Sequence, residues 1–383
     1  MTNQRNNPTV KTSLACIFCG LLFVLLLLFV LLPDKDFSET EKRVLSAFPQ
    51  ATFSSVSDGK FEKEMDSYVQ DQMPFRNFWV GLGSYFNCAV GQNGTDGIYV
   101  AEDGYLIGTP AKYNERNLRS NLQYLTAFAE KAGIPAYILP VPETGYILEA
   151  KLPKRHAVYK DDAVFDSVAQ MTDGVYRTVD VRDVFKENAE TVQLYYKTDH
   201  HWTSDGAFLA ANTFLKAADK PLLRESDFEV ERCPGFFGTT YAKAALWRKL
   251  HDTMELWQIP QGRLHTVVTD LGKGEIAQTD GVFFREHLDK YDMYPTYLDG
   301  NHSLTHIVNP DAPQGTLLLL KDSFGNTLVT MLAAAYREIV MVDMRYYRTE
   351  AVSDLIAQYG VDTILVNYSV DSLVNDTNIL FLK

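Results

Sequence analysis

The stretch TLLLLKDSFGN (316–326) begins as a short, nearly continuous apolar run and breaks off at Lys321-Asp322-Ser323. Such runs are what strands buried on both faces look like. The same opening recurs in EIVMVDMRYY (338–347) and DTILVNYS (362–369). Between them, TLVTMLAAAYR (327–337) and EAVSDLIAQYG (350–360) have the length and composition of helices. This βαβαβ alternation predicts an α/β fold with a parallel sheet and right-handed crossovers. Ligands of such sheets sit at the carboxyl ends of the strands, which directs attention to Asp322-Ser323, to Asp343-Met344-Arg345 and to Asn367-Tyr368.

Ser323 ends a strand and opens a helix, where free N–H groups can stabilise an oxyanion. Ser is equally a favoured helix cap. What weighs toward chemistry is that Arg345 and Asn367 follow the next two strands in the same relation. A nucleophilic Ser also needs a base, and the base needs a group to orient it.

YYKTDHHWTSDGAF (195–208) can supply both. In an extended segment Asp199 and His201, two apart, point to the same side, so a carboxylate can hold one imidazole nitrogen while the other faces Ser323. His200 then points away, Trp202 covers or packs beside the site, and Ser204 caps the helix that follows. D-H-H could also form part of a metal site. Zinc, however, wants three or four ligands, often with His at helical i, i+4 spacing, and adjacent His residues rarely ligate one ion well. The acid–base reading is preferred, and no cofactor or metal is called for.

Upstream, PAYILPVP (135–142) reads as a strand, preceded by a helix from Glu115 whose stripe is Leu118, Leu122, Leu125, Phe128 and Ala129 and which stops at Gly133. DGIYVAEDGYLIG (96–108) reads as a hairpin. Phe61, Met65, Tyr68 and Val69 share a helical face that ends near Met73-Pro74. From Leu14 to Leu32 the chain has no charge and no Pro, and reaches roughly the thickness of a bilayer core. A cleaved signal peptide is the alternative, but the apolar run exceeds the usual h-region and no small-residue cleavage site follows. Arg5 and Lys11 before the span, with Asp34 and Asp36 after it, place the N-terminus in the cytoplasm and the rest outside. The expected division is a tail and anchor over 1–33, a linker with helix and hairpin over 34–110, and a main domain over 111–383.

Lys and Arg number 36 and Asp and Glu 49, a net charge of −13. With no basic stripe, nucleic acid is a poor partner. Cys16 and Cys19 lie inside the apolar run; Cys88 and Cys233 outside it could form one disulfide but no framework.

KTDHHWTSDGA together with LLLLKDSFGN resembles the DHHW protein family, and more widely the SGNH-hydrolase-like proteins that include the alginate O-acetyltransferases. Supporting pieces are SETEKRVLSAFP, YVQDQMPFRNFW, GIYVAEDGYLIG, PVPETGYI, FFGTTYAKA and YLDGNHSLTHI. The resemblance implies a flavodoxin-like three-layer sheet with permuted motif order, the D-x-H element preceding the Ser. Carried over by position, it implies Ser323 as nucleophile, His201 as base, Asp199 as its orienter, Asn367 as an oxyanion donor beside the Ser amide and Arg345 facing substrate. Trp202 and His200 fall at the substrate side, and Asn301 and His302 in Gly300-Asn301-His302 are outside candidates. Lys321 stands where ordinary SGNH hydrolases have Gly, which puts a Gly-dependent oxyanion geometry in question.

The function implied is a membrane-anchored O-acyltransferase, most simply O-acetyl, acting on hydroxyls of a cell-surface polysaccharide. Its acyl group would come from a multipass membrane O-acyltransferase, because acetyl-CoA is absent outside the membrane. A carbohydrate esterase with the same residues, and a non-catalytic glycan-binding or assembly protein of the cell envelope, are the competing readings.

Overall fold

The computed structural model describes residues 8–38, 41, 43–247, 250–260, 263–270, 274–348 and 350–382. Arg5 and the cytoplasmic tail expected before the apolar run lie mostly outside them. The chain divides into two compact units. One comprises the residues up to Ala89 with Ala245–Trp247, and the other runs from Val90 to Ala244 and from Arg248 onward. The hairpin expected in the linker region therefore groups with the sheet unit.

The first unit contains the 24-residue helix α1 (Pro8–Leu31), then α2 (Lys60–Gln72) and α3 (Arg76–Ala89). Residues Lys11–Leu31 of α1 are long and apolar enough to cross a membrane. Pro74 separates α2 from α3, as its missing N–H and the restriction it places on Met73 require. Asp71 ties this unit together: its carboxylate accepts from Arg43 and, at 2.9 Å each, from the Ser46 amide and hydroxyl. The Arg43 hydrogen bond outweighs burial and holds Asp71 down at about 2.

The second unit is built on an eight-stranded sheet. In chain order its strands are β1 (Ala136–Val141), β2 (Arg177–Thr178), β3 (His265–Asp270), β4 (Gly274–Asp280), β5 (Leu304–Val308), β6 (Thr316–Lys321), β7 (Glu338–Val342) and β8 (Thr363–Ser369). Across the sheet they run β4-β3-β5-β7-β6-β8-β1-β2. The five from β7 to β2 are parallel, and β5, β3 and β4 extend the β7 edge antiparallel. The parallel core matches the sequence expectation. The antiparallel extension was not foreseen, since its strands alternate in burial and lack continuous apolar runs.

The central strand β6 shows why the unit has three layers. Leu317 and Leu319 pack into one core, with α6 (Ser204–Ala217) and α8 (Gly325–Leu332). Leu318 and Leu320 pack into the other, with α4 (Glu115–Ala132), α5 (Asp161–Met171), α9 (Val352–Tyr359) and α10 (Val370–Asn375). All four leucines are fully buried, each contributing about 1.5–3 kcal/mol. One more helix, α7 (Thr239–Ala244), follows a β-ribbon strand, Glu229–Phe236. Cys88 and Cys233 are free thiols, each in its own unit.

Candidate active site

Asp199, His201 and Ser323 form one hydrogen-bonded chain. His201 Nδ1 lies 2.6 Å from Asp199 Oδ1, and His201 Nε2 lies 2.7 Å from Ser323 Oγ. Burial alone would raise the Asp199 pKa. The His201 and His200 rings and the Thr239 amide overrule it and hold the carboxyl well below its usual range. An ionised carboxylate only accepts, so Nδ1 carries the hydrogen and Nε2 is left to accept from the Ser323 hydroxyl.

The local geometry differs from the extended segment expected. Residues 197–201 form a bend, and Asp199 Oδ1 accepts the His201 backbone N–H at 2.9 Å as well as the ring. A short Asp side chain closing on the amide two residues later is an ordinary turn device, and here it also aims the imidazole. The bend is clamped from outside by the Asp252 carboxylate, which accepts from Lys197 N, Thr198 N, Thr198 Oγ1 and Gln193 Nε2. The helix cap is Thr203, accepting from Gly206 N at 3.3 Å. Ser204 instead begins the helix and donates its hydroxyl to the Glu255 carbonyl.

At the other partner, Ser323 caps nothing: the helix starts after Phe324 with no side-chain cap, and Asp322 closes the turn before it. Its Oδ1 accepts the Phe324 N–H at 3.0 Å, while Oδ2 accepts from Ser369 N and Ser372 Oγ. Ser323 is thereby free to face His201. Tyr294 braces both: its ring stacks on His201 at 4.0 Å and 12°, and its hydroxyl donates to the Ser323 carbonyl at 2.8 Å. Behind Ser323 the Lys321 ammonium is buried, donating to Asn301 Oδ1 and Asn326 Oδ1 at 2.8 Å and lying 3.3 Å from Asp343. Burial pulls its pKa down against the attraction of Asp343. Asp343 grips Arg345 with both oxygens, at 2.8 and 2.5 Å, and this pairing outweighs burial to keep the guanidinium pKa raised.

Ser323 opens on a pocket of about 540 Å³ whose wall includes His200, Thr239, Lys243, Glu143, Arg345 and Asp371. Among the expected substrate-side residues, His200 and Arg345 line it. The His200 Nδ1 lies 2.7 Å from Thr239 Oγ1; desolvation and then the His201 ring hold its pKa down to about 4, although the side chain is 46 % exposed. Its ring lies beside that of His201, centroids 3.9 Å apart, so it does not turn away from the site.

Other expected residues are placed elsewhere. Asn367 is fully buried, and its amide donates to the Leu139 carbonyl at 3.3 Å, because it lies on interior strand β8 level with Lys321, short of the pocket. Trp202 is likewise fully buried, its indole N–H donating to the Phe324 carbonyl, so it fastens the two halves of the site together. Asn301 is spent on Lys321, and His302 on Asp299, whose carbonyl lies 3.0 Å from its Nε2. The donor atoms of Asp199, His200 and His201 gather closely enough to hold an ion, yet both ring nitrogens of His201 are engaged by Asp199 and Ser323. Tyr294, Asp252 and Gly238-Thr239 were not singled out from the sequence; the last two lie in FFGTTYAKA, which offered only a weak family signal.

Two family models match. Residues 170–342 match that of the DHHW protein, and residues 101–234 that of the SGNH hydrolase-like domain of the acetyltransferase AlgX. Each model spans less than half of the chain, and together they make its central part similar to DHHW and SGNH-like proteins. Its fold is that of a DHHW family protein from Eubacterium siraeum, with a TM-score of 0.62 and 23 % identity over 75 % of this chain and 95 % of that one. It is also that of Bacillus cereus PatB1, solved with a sulfonyl adduct, with a TM-score of 0.62 and 20 % identity over 75 % of this chain and 100 % of that one. A probable alginate O-acetylase, AlgJ of Pseudomonas fluorescens, is 24 % identical over 224 residues, 54 % of this chain and 53 % of that protein. The chain thus spans about half the length of this curated relative.

Proposed function

We propose that the protein is a serine-dependent O-acyltransferase, transferring most simply an acetyl group to hydroxyls of a cell-surface polysaccharide, held at the membrane by α1 with its SGNH-like domain outside. The observation that carries this reading is the Asp199–His201–Ser323 chain, with links of 2.6 and 2.7 Å, opening on a pocket large enough for a sugar. Its likeness to a probable alginate O-acetylase and to the AlgX acetyltransferase model supports the same class of reaction.

In the first half-reaction Ser323 Oγ attacks the acyl carbonyl while His201 Nε2 takes the hydroxyl proton. The tetrahedral oxyanion collapses, the bond to the donor breaks, and the leaving oxygen takes the proton from His201. In the second, an acceptor hydroxyl gives its proton to His201 and attacks the acyl-Ser323 carbonyl. Ser323 leaves and recovers the proton. Asp199 keeps the imidazole in the required tautomer and stabilises the imidazolium. With Asn367 turned into the sheet, the Ser323 N–H remains as the oxyanion donor expected from this region. The donor is a membrane acyltransferase partner that carries the acyl group outward.

The test is an acyl-enzyme trap. Full-length protein in detergent, mixed with p-nitrophenyl acetate, should gain the mass of one acetyl group on the Ser323 peptide, and Ser323→Ala should not. A folded protein that gains no adduct and releases no nitrophenol would sink the proposal in favour of a non-catalytic glycan-binding module. An adduct that only water discharges, with no transfer to glycan hydroxyls, would make it an esterase.

A further inference from the structure

Helix α3 (Arg76–Ala89) is packed inside out. Its buried residues are the small Gly81 and Ser84, whereas Phe75 just before it and Phe78, Trp79, Leu82 and Phe86 along it are 36 to 64 % exposed. Trp79, Leu82 and Phe86 follow i, i+3, i+7, so they share one face, and Phe75, whose carbonyl accepts the Trp79 N–H at 3.2 Å, stands just ahead of it. A surface helix of a water-soluble domain turns that face inward. Here the inward side is filled otherwise: Trp247 lies against Gly81, where a Cβ would stand 2.1 Å from its indole nitrogen, and stacks on Phe78 at 5.4 Å. The sole charge of α3, Arg76, is turned back on its own unit, donating to the Gln70 carbonyl at 3.0 Å and pairing with Glu41.

The position of α3 in the chain says what covers this face. Just before it, α2 is fastened to the exit of α1. Tyr68 stands edge-on to Phe29 of α1 at 5.8 Å and donates to both oxygens of Asp34. Gln72 exchanges two hydrogen bonds with the Lys35 backbone, 3.0 Å each. Phe75 follows Gln72 by three residues, a span the chain can stretch to no more than about 11 Å. The apolar stripe therefore starts beside the level at which α1 leaves the bilayer.

We propose that α3 is an interfacial helix, lying on the outer surface of the lipid bilayer that α1 crosses, with Phe75, Trp79, Leu82 and Phe86 sunk among the acyl chains. The inference rests on the anchor reading of α1. Aromatic and aliphatic side chains on an uncharged helix face are what the headgroup boundary accommodates. A protein partner fits less well, because protein interfaces carry about one hydrogen bond per 100–200 Å². This stripe offers none: the Trp79 indole N–H, the only polar group on it, already donates to the Pro74 carbonyl at 3.1 Å. Such an arrangement would tether the chain at a second point and fix the first unit against the membrane surface.

The test uses full-length protein reconstituted into phosphatidylcholine and phosphatidylglycerol vesicles, with and without bromine on the upper acyl-chain carbons. Bromine should quench tryptophan emission, and Trp79→Phe should remove a large part of that quenching. Trp202→Phe and Trp257→Phe should leave it unchanged, since both indoles are buried in the second unit. Flotation of the same vesicles on a density gradient separates the two readings. Protein that fails to float overturns the anchor and this inference together. Protein that floats with Trp79 unquenched overturns the interfacial helix alone. A cross-link from position 86 to another protein in native membranes, with no quenching in vesicles, would assign the face to that protein instead.

Discussion

The Thr239 amide donates to Asp199 Oδ2 at 2.6 Å, and it can come this close because the residue before it has no side chain. A Cβ on Gly238 would stand 2.2 Å from the Asp199 Cβ and 2.4 Å from the Thr198 carbonyl oxygen. The second oxygen of the carboxylate is thus held by backbone that only glycine allows so near. Gly238→Ala should push α7 away from the bend, losing that hydrogen bond at about 1.5–3 kcal/mol. The expected outcome is a folded protein with a lowered melting temperature and a slower acyl transfer to Ser323, measured by thermal melt and adduct mass against time. Unchanged rate and melt would show that the neighbouring loop yields freely.

Asp199→Asn tests the tautomer argument directly. The variant keeps the side chain's volume and should keep the fold, but its amide can donate to Nδ1 and leave Nε2 carrying the hydrogen, unable to accept from Ser323. By comparison with other triads, the rate should fall by roughly 10⁴. In the unaltered protein Asp199, held far below the usual carboxylate range, stays charged and able to orient the imidazole well below neutral pH. A mild effect of Asp199→Asn would reduce Asp199 to a structural role.

How far the sequence reaches into this site is set by the range of the forces involved. The strands β6, β7 and β8 were legible because burial on both faces demands unbroken apolar runs, and Ser323 because it ends one of them. Asp199 and His201 were legible from their spacing. Asn367 was misplaced because it sits level with Lys321, inside the sheet, where it is covered and bonded to Leu139 rather than lining the pocket. Tyr294 and Asp252 were invisible for a different reason. Each reaches the site from a distant part of the chain, Tyr294 across 29 residues to the Ser323 carbonyl and Asp252 across 54 to Thr198, and no local pattern marks such a contact. The displaced cap, Thr203 in place of Ser204, shows the usual ambiguity of one position at a helix start.

Glu143, on the pocket wall, and Asp161, at the start of α5, give a stability prediction with a definite sign. The Glu143 N–H donates to Asp161 Oδ1 at 2.8 Å, Asp161 is fully buried, and its Oδ2 has no hydrogen-bond partner among the described residues. Burial first, and then the charge of Asp161, push the Glu143 carboxyl up to about 8, with Asp371 adding to the effect; burial likewise raises Asp161. The pair therefore keeps a proton on folding that the unfolded chain, with ordinary carboxyl values of 4.5 and 3.8, has already lost. Where the folded state binds more protons, stability falls as pH rises. This contribution is fully present below the unfolded values and is lost as pH climbs through the raised folded values toward about 8. Melting temperatures across that range should decline, and Glu143→Gln, which supplies a permanent N–H donor to Asp161, should flatten the decline. An equal slope in the variant would mean that the pair is ionised together in the folded protein and that its proton lies elsewhere.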